Sequence, residues 1–150
     1  IAQLAALLHR SQSLLSKITG SKDVGQIRLL FHVNASEYWQ THYTFGVESS
    51  KKNKFLGDSS LDILLINTVS PILFSSGKYI GEKELCERAL QFLETIKAEK
   101  NSITKSFSRY AVPMSNAAHS QAIIQLKREY CEKRKCLYCR VGHRLLTVNR

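Results

Sequence analysis

A chain of 150 residues with 43% hydrophobic content is large enough to bury one substantial core and gives little reason to expect a second domain. Four cysteines in so well-filled a composition exclude a disulfide-dense secreted scaffold and favour a reducing, cytoplasmic setting with thiolate chemistry. Lys and Arg number 22 against 12 Asp and Glu, a net charge of +10, which points to polyanionic partners.

The chain starts with IAQLAALLHRSQSLL, a mid-protein amphipathic segment without the initiator Met, charged start or cleavage site of a secretory signal. The expectation is therefore a fragment of a longer protein. Leu4, Leu7, Leu8, Leu14, Leu15 and Ile18 keep helical spacing as far as Gly20, a natural stop. Asp23 can cap a second helix containing Ile27, Leu30 and Phe31, and Asn34 or Ser36 a third through EYWQTHYTFG, closed by Gly46. On that third helix Tyr38, Trp39, His42 and Tyr43 share a face, with Phe45 beside them. These rings can build a core wall or a stacking platform for bases, and the core wall is the simpler reading, with Trp39 as an anchor between helices.

Residues 47–60, VESSKKNKFLGDSS, read as an exposed loop. DSS then caps a buried helix from Leu61, which Pro71 should bend or break, because proline lacks an amide donor and clashes with the carbonyl of Asn67. The apolar stretch LDILLINTVSPILF falls short of the roughly 20 residues that span a bilayer, so a soluble core helix is expected, with no membrane contact. SGKYIG reads as a turn. It is not a phosphate-binding loop, since Ile72 and Tyr79 stand where that motif needs Gly and Ser or Thr. EKELCERALQFLETIK carries a stripe of Leu85, Ala89, Phe92, Leu93 and Ile96, NSITKSFSRY is a short helix capped by Asn101 or Ser102, AVPM is a connector, and the last long helix runs from about Ser115 to Tyr130. No strand pattern of convincing length and no repeat is present. The expected fold is all-α, a single compact bundle of about six or seven helices over 1–150, ending in a cysteine-rich basic tail over 131–150.

No catalytic motif competes for attention: the sequence has no HExxH pair and no GxSxG elbow, and His9, His32, His42 and His119 are scattered. This segment is therefore expected to be non-catalytic. The informative stretch is YCEKRKCLYCRVGH, residues 130–143. Between 125 and 150, Lys127, Arg128, Lys133, Arg134, Lys135, Arg140, Arg144 and Arg150 face only Glu129 and Glu132, so six of the ten net charges lie there. The first seven of those cations are candidate sequence-independent phosphate contacts, and a solvated face is the plain alternative. Cys131, Cys136 and Cys139 form C-x4-C-x2-C, whose second gap is a zinc-knuckle spacing. His143 or Cys86 could supply a fourth ligand. Zinc leads over an iron–sulfur cluster, and against any metal stands Cys86 as a small buried hydrophobe.

ASEYWQTHYTFG, SSLDILLINTVSPILFSSGKY, CERALQFLETIKAEKNSI and SQAIIQLKREYCEKRKCLYCRVG resemble the C-terminal half of a bacterial family catalogued as domain of unknown function 2851, from about residue 2 to 146. The resemblance extends to CEKRKCLYC and not to His143, which keeps Cys86 as a rival ligand. In that family the N-terminal half carries Gly-Pro-Asp-Phe and Glu-Ile-His signatures similar to the PD-(D/E)xK nuclease core. The resemblance thus implies a helical accessory domain of a nuclease-like, nucleic-acid-processing protein. The alternative is a structural or interaction module that packs on that N-terminal half or on a partner.

Overall fold

The computed structural model describes residues 2–147 and is predominantly helical. Its helices are shorter and more numerous than the six or seven expected, and the chain divides into two compact units, Ile1–Phe92 and Leu93–Arg150. The end of the expected tail, 148–150 with Arg150, lies outside the described residues.

In the first unit the expected N-terminal helix is two: α1 (Ala2–Arg10) and α2 (Leu14–Gly20). Ser13 adopts a left-handed backbone, φ 64°, and its hydroxyl donates to the Gln12 carbonyl. Ser-Gln-Ser offers the backbone local side-chain bonds that compete with the helix, so the leucine stripe breaks there. Leu7 and Ile18 are buried, whereas Leu4, Leu8 and Leu15 remain exposed. Helix α3 (Val24–Phe31) starts as expected, Asp23 accepting the Gln26 amide at 2.9 Å, while the Gln26 side chain accepts the Lys22 amide.

The third expected helix lasts one turn, α4 (Glu37–Gln40), and then gives way to a hairpin of β1 (His42–Thr44) and β2 (Val47–Glu48). The strands are antiparallel, pairing His42 with Glu48 and Thr44 with Val47. Gly46 turns the chain at φ 73° rather than ending a helix. Aromatic and β-branched residues in HYTF and Val47 favour the extended state. Beyond the hairpin the chain is irregular to Gly57, as expected of a loop.

Helix α5 (Asp58–Leu64) runs through a π turn, Leu65–Val69, into α6 (Ser70–Ile80). DSS thus forms its first turn rather than preceding it. Pro71 does not end the helix: the wider turn shifts the hydrogen-bond register just where proline has no amide to give. The continuous helix Asp58–Ile80 is 23 residues long, and by length and composition alone it could cross a membrane. Leu61, Leu65, Ile66, Val69 and Leu73 are nevertheless buried in the folded chain, as in a core helix. SGKYI belongs to α6, and only Gly81, at φ 78°, turns the chain, with the Glu82 amide returning to the Gly77 carbonyl at 2.8 Å in a Schellman closure.

Helix α7 (Lys83–Thr95) presents Leu85, Ala89 and Phe92 to the interior, the stripe expected. Arg88 donates to the carbonyls of Thr19 and Ser21, at 2.9 and 3.1 Å, and to Glu84. It thereby satisfies acceptors at the end of α2 that the helix leaves open. An Arg28–Asp62 ion pair joins α3 to α5; a separation of 34 residues hides such a pair from sequence patterns.

In the second unit α8 (Ser102–Ser108) is capped by Asn101, whose side chain accepts the Thr104 amide while Thr104 Oγ1 accepts the Asn101 amide, both at 2.9 Å. Helix α9 (Ala117–Gln125), capped by Asn116, packs against α8 and buries Ala117, Ser120 and Ile124. Glu99 accepts from Gln121 and from Asn101, and its own amide donates to Ser120 Oγ. These bonds tie the loop before α8 to α9.

Two stability predictions follow from these contacts. A Cβ on Gly77 would lie 2.8 Å from Cys86 Sγ, 2.8 Å from the Glu82 carbonyl oxygen and 2.9 Å from Leu85 Cβ. Gly77→Ala is expected to destabilise the protein by about 1–2 kcal/mol in urea unfolding, overpacking outweighing the better helix propensity of alanine; an unchanged midpoint would disprove the close packing. Asn101→Ala is expected to cost about 1–2 kcal/mol and Asn101→Asp much less, since only the first removes the capping acceptor.

Candidate nucleic-acid interface

The second unit ends in a string of short turns. Helix α9 widens into a π turn over Leu126–Cys131, and a reversal follows in which Arg134 adopts φ 51°. A 3-10 turn, Cys136–Tyr138, then leads into α10 (Arg140–Thr147). The expected last helix is therefore close to its predicted span, but the tail beyond it is folded. The Lys135 amide returns to the Tyr130 carbonyl at 2.9 Å, and the His143 amide to that of Cys139 at 2.7 Å. Gly142 lets α10 rest directly on the 3-10 turn, since a Cβ there would lie 2.5 Å from the Cys136 carbonyl oxygen.

This folding separates the cysteines. Cys139 is buried, Cys131 and Cys136 are exposed, and all are free thiols. Cys86 lies on α7 in the first unit, where its thiol donates to the Phe74 carbonyl at 3.5 Å and faces Gly77. Among the described residues no three His, Cys, Asp or Glu side chains gather in a group able to hold a metal ion. The expected ligands Cys131, Cys136 and Cys139 with His143 therefore do not appear as such a group, and Cys86, the rival fourth ligand, belongs to the other unit. The reversal at Arg134 turns one thiol inward and leaves its neighbours at the surface.

The cations are arranged differently. Lys127 pairs with Glu132 at 3.3 Å, and Lys133 with Glu129 at 2.5 Å. The Lys133 hydrogen bond and charge, joined by the charge of Lys135, hold the Glu129 carboxyl below its ordinary range, so it stays ionised and committed to its lysine. Both carboxylates of the tail are thereby used. Among the described residues Arg128, Arg134, Lys135, Arg140 and Arg144 are exposed and have no carboxylate partner. Five of the seven expected phosphate contacts thus form no ion pair among the described residues.

Two features beside them were missed by sequence reading. Gln125, Glu129, Tyr130, Lys135 and Tyr138 line a concavity of about 530 Å³; tyrosines flanking a basic run were its only signal. Val141 and Leu145, at 56% and 66% exposure, stand one turn apart on α10 and leave it an uncovered apolar face, legible as an amphipathic period in RVGHRLL, and Leu137 on the preceding 3-10 turn is 71% exposed.

No curated protein and no solved structure matches the chain. One family model does, over residues 1–102, a shorter reach than the 2–146 expected and one that stops before the basic tail. Since that match covers most of the chain, the chain belongs to the family described as protein of unknown function (DUF2851).

Proposed function

We propose that this chain is a non-catalytic helical accessory module of a nucleic-acid-processing protein, and that its tail holds a phosphate backbone. The observation that carries this reading is the set of five exposed cations without an ion pair among the described residues, Arg128, Arg134, Lys135, Arg140 and Arg144, beside two carboxylates already occupied by lysines. Uncompensated cations held on folded turns release condensed counterions when they meet a polyanion, whereas paired lysines must first break a local bond. Arginine adds planar, forked donors suited to phosphate oxygens. Such contacts position a duplex or strand without reading its sequence.

A second reading, an interaction module that packs on the family's N-terminal half or on a partner subunit, is favoured by the exposed apolar face of Val141 and Leu145 on α10. An uncovered apolar face of this kind commonly marks a docking surface.

Fluorescence anisotropy with labelled duplex DNA across a salt series tests the first reading. Five phosphate contacts should give a slope of about −4 to −5 in log affinity against log salt. Reversing Arg134→Glu and Lys135→Glu together should weaken binding to all sequences alike and flatten the slope by about 2; retained binding with the same slope would refute it. For the second reading, Val141→Glu with Leu145→Glu should abolish co-elution with the family's N-terminal half in gel filtration, and persistent co-elution would reject the apolar face of α10 as the docking face.

A further inference from the structure

Of the aromatic rings expected to form a core wall, Tyr38, Tyr43 and Phe45 lie instead on the surface of the first unit, while Trp39 and His42 are half-buried. Tyr38, Tyr43 and Phe45 are 42%, 66% and 80% exposed. They are nonetheless ordered by one another. Tyr38 stacks on His42 with ring centres 4.0 Å apart, and Trp39 meets Phe45 edge-on at 4.9 Å. The Tyr38 hydroxyl accepts the Gly46 amide at 3.0 Å, which pins the hairpin turn over the α4 rings. Lys54 lies 3.4 Å from the centre of the Tyr43 ring, and its amine donates to the His42 carbonyl at 2.7 Å. The loop that carries Lys54 is itself held, its amide donating to Asn34 Oδ1 and its carbonyl accepting the Ala35 amide. Phe55, stacked on His32 at 4.4 Å, completes an open groove of about 720 Å³ between the hairpin and α1.

A groove of this size is in the range that takes small organic groups. Its chemistry restricts which ones. Exposed rings are the usual cage for a quaternary ammonium or methylated lysine, but this cage already contains a cation: Lys54 covers Tyr43, and Lys51 and Lys52, exposed and without carboxylate partners among the described residues, precede it on the same loop. The acidic residues nearest in sequence are Glu37 on α4, Glu48 on β2 and Asp58 at the start of α5, and none of them lines the groove. A cationic ligand is therefore disfavoured. A flat, neutral ring attached to an anion satisfies both the π faces and the lysines.

We infer that the groove of Trp39, Tyr43, Phe45, Lys54 and Phe55 receives an unstacked base of a single-stranded nucleic acid, with Lys51 and Lys52 on its phosphates. This deepens the nucleic-acid reading by naming the strand state, and it rests on that reading for the polymer while standing on a different unit of the chain. In a duplex the base faces are covered by their neighbours; only an unpaired strand can offer one to these rings. The rings are fixed before a ligand arrives, so little ordering opposes the stacking.

The chain's only tryptophan, Trp39, lines the groove and reports on it. Its emission should be quenched in a saturable way by a ten-residue oligothymidylate and left unchanged by a duplex of equal length. Phe45→Ala and Tyr43→Ala should each weaken the oligothymidylate complex about 5- to 100-fold with unchanged far-UV circular dichroism, because neither ring is buried. The variant reversed at Arg134 and Lys135 should keep the quench. Loss of duplex binding in that variant, together with no quench by the oligonucleotide in the unaltered protein, would overturn the groove and leave the tail reading standing. Quench and Phe45→Ala sensitivity with duplex binding indifferent to the tail reversal would uphold the groove and sink the tail. Equal quench by thymidine monophosphate and by the oligonucleotide, at equal affinity, would overturn the assignment to a strand.

Discussion

The first unit depends on the approach of α6 to α7 at Gly77. With no side chain there, Cys86 and Leu85 come within a distance at which a methyl group could not fit. The same residue's carbonyl receives the Glu82 amide and closes the turn between the two helices. That closure sets where α7 begins, and its start sets which residues face inward: Leu85, Ala89 and Phe92 on one side, Arg88 toward the end of α2. Arg88 then does for α2 what capping residues do elsewhere, occupying carbonyls that would otherwise need water. A single glycine thus fixes a helix pair and, through one arginine, the end of a third helix. Cys86 belongs to this packing as a small, half-buried thiol, the role a free cysteine commonly fills.

What was legible in the sequence was local and periodic. Asp23 and Asn101 stand where a helix must begin, and each binds the amide its position predicts. The stripe of α7 is continuous, and no competing signal interrupts it. The failures share a cause. A leucine stripe spaced for one helix ran through Ser-Gln-Ser, and the hydroxyl of Ser13 gave the backbone another partner. Spacing placed four rings on one helix face, but the preference of His-Tyr-Thr-Phe for extended backbone and a glycine at φ 73° put His42 and Tyr43 on a hairpin and left Tyr38 and Trp39 on α4. Pro71 predicted a break, and the helix answered with a wider turn upstream. In each case the pattern was read correctly and a neighbouring residue decided the geometry. Of the candidate site, the cations were visible one by one; which of them were already paired depended on where the π turn set Lys127 and Glu132.

The two units offer different chemistry. The first presents flat rings with lysines beside them, the second presents arginines on short turns beside two occupied carboxylates. Stacking distinguishes a paired from an unpaired base and is nearly insensitive to salt, whereas phosphate contact makes no such distinction and weakens steeply as salt rises. Because one term is short-ranged and the other long-ranged, they can be measured separately in a single protein.

The described part of the cysteine-rich tail is folded. Its turns are closed by backbone bonds, from Lys135 to Tyr130 and from His143 to Cys139, and α10 rests on the Cys136 carbonyl because Gly142 has no side chain to hold it off. Order of this kind matters for a charged surface. Arginines on a free chain approach a phosphate only by giving up conformational entropy, about 1–2 kcal/mol for each residue fixed, whereas arginines on a folded turn have already been fixed by the backbone bonds beneath them. The left-handed residue at Arg134 is part of the same economy, since it produces the reversal that leaves Arg134 and Lys135 exposed without carboxylate partners among the described residues. The closely packed glycine and the backbone bonds around it together hold this basic end in shape.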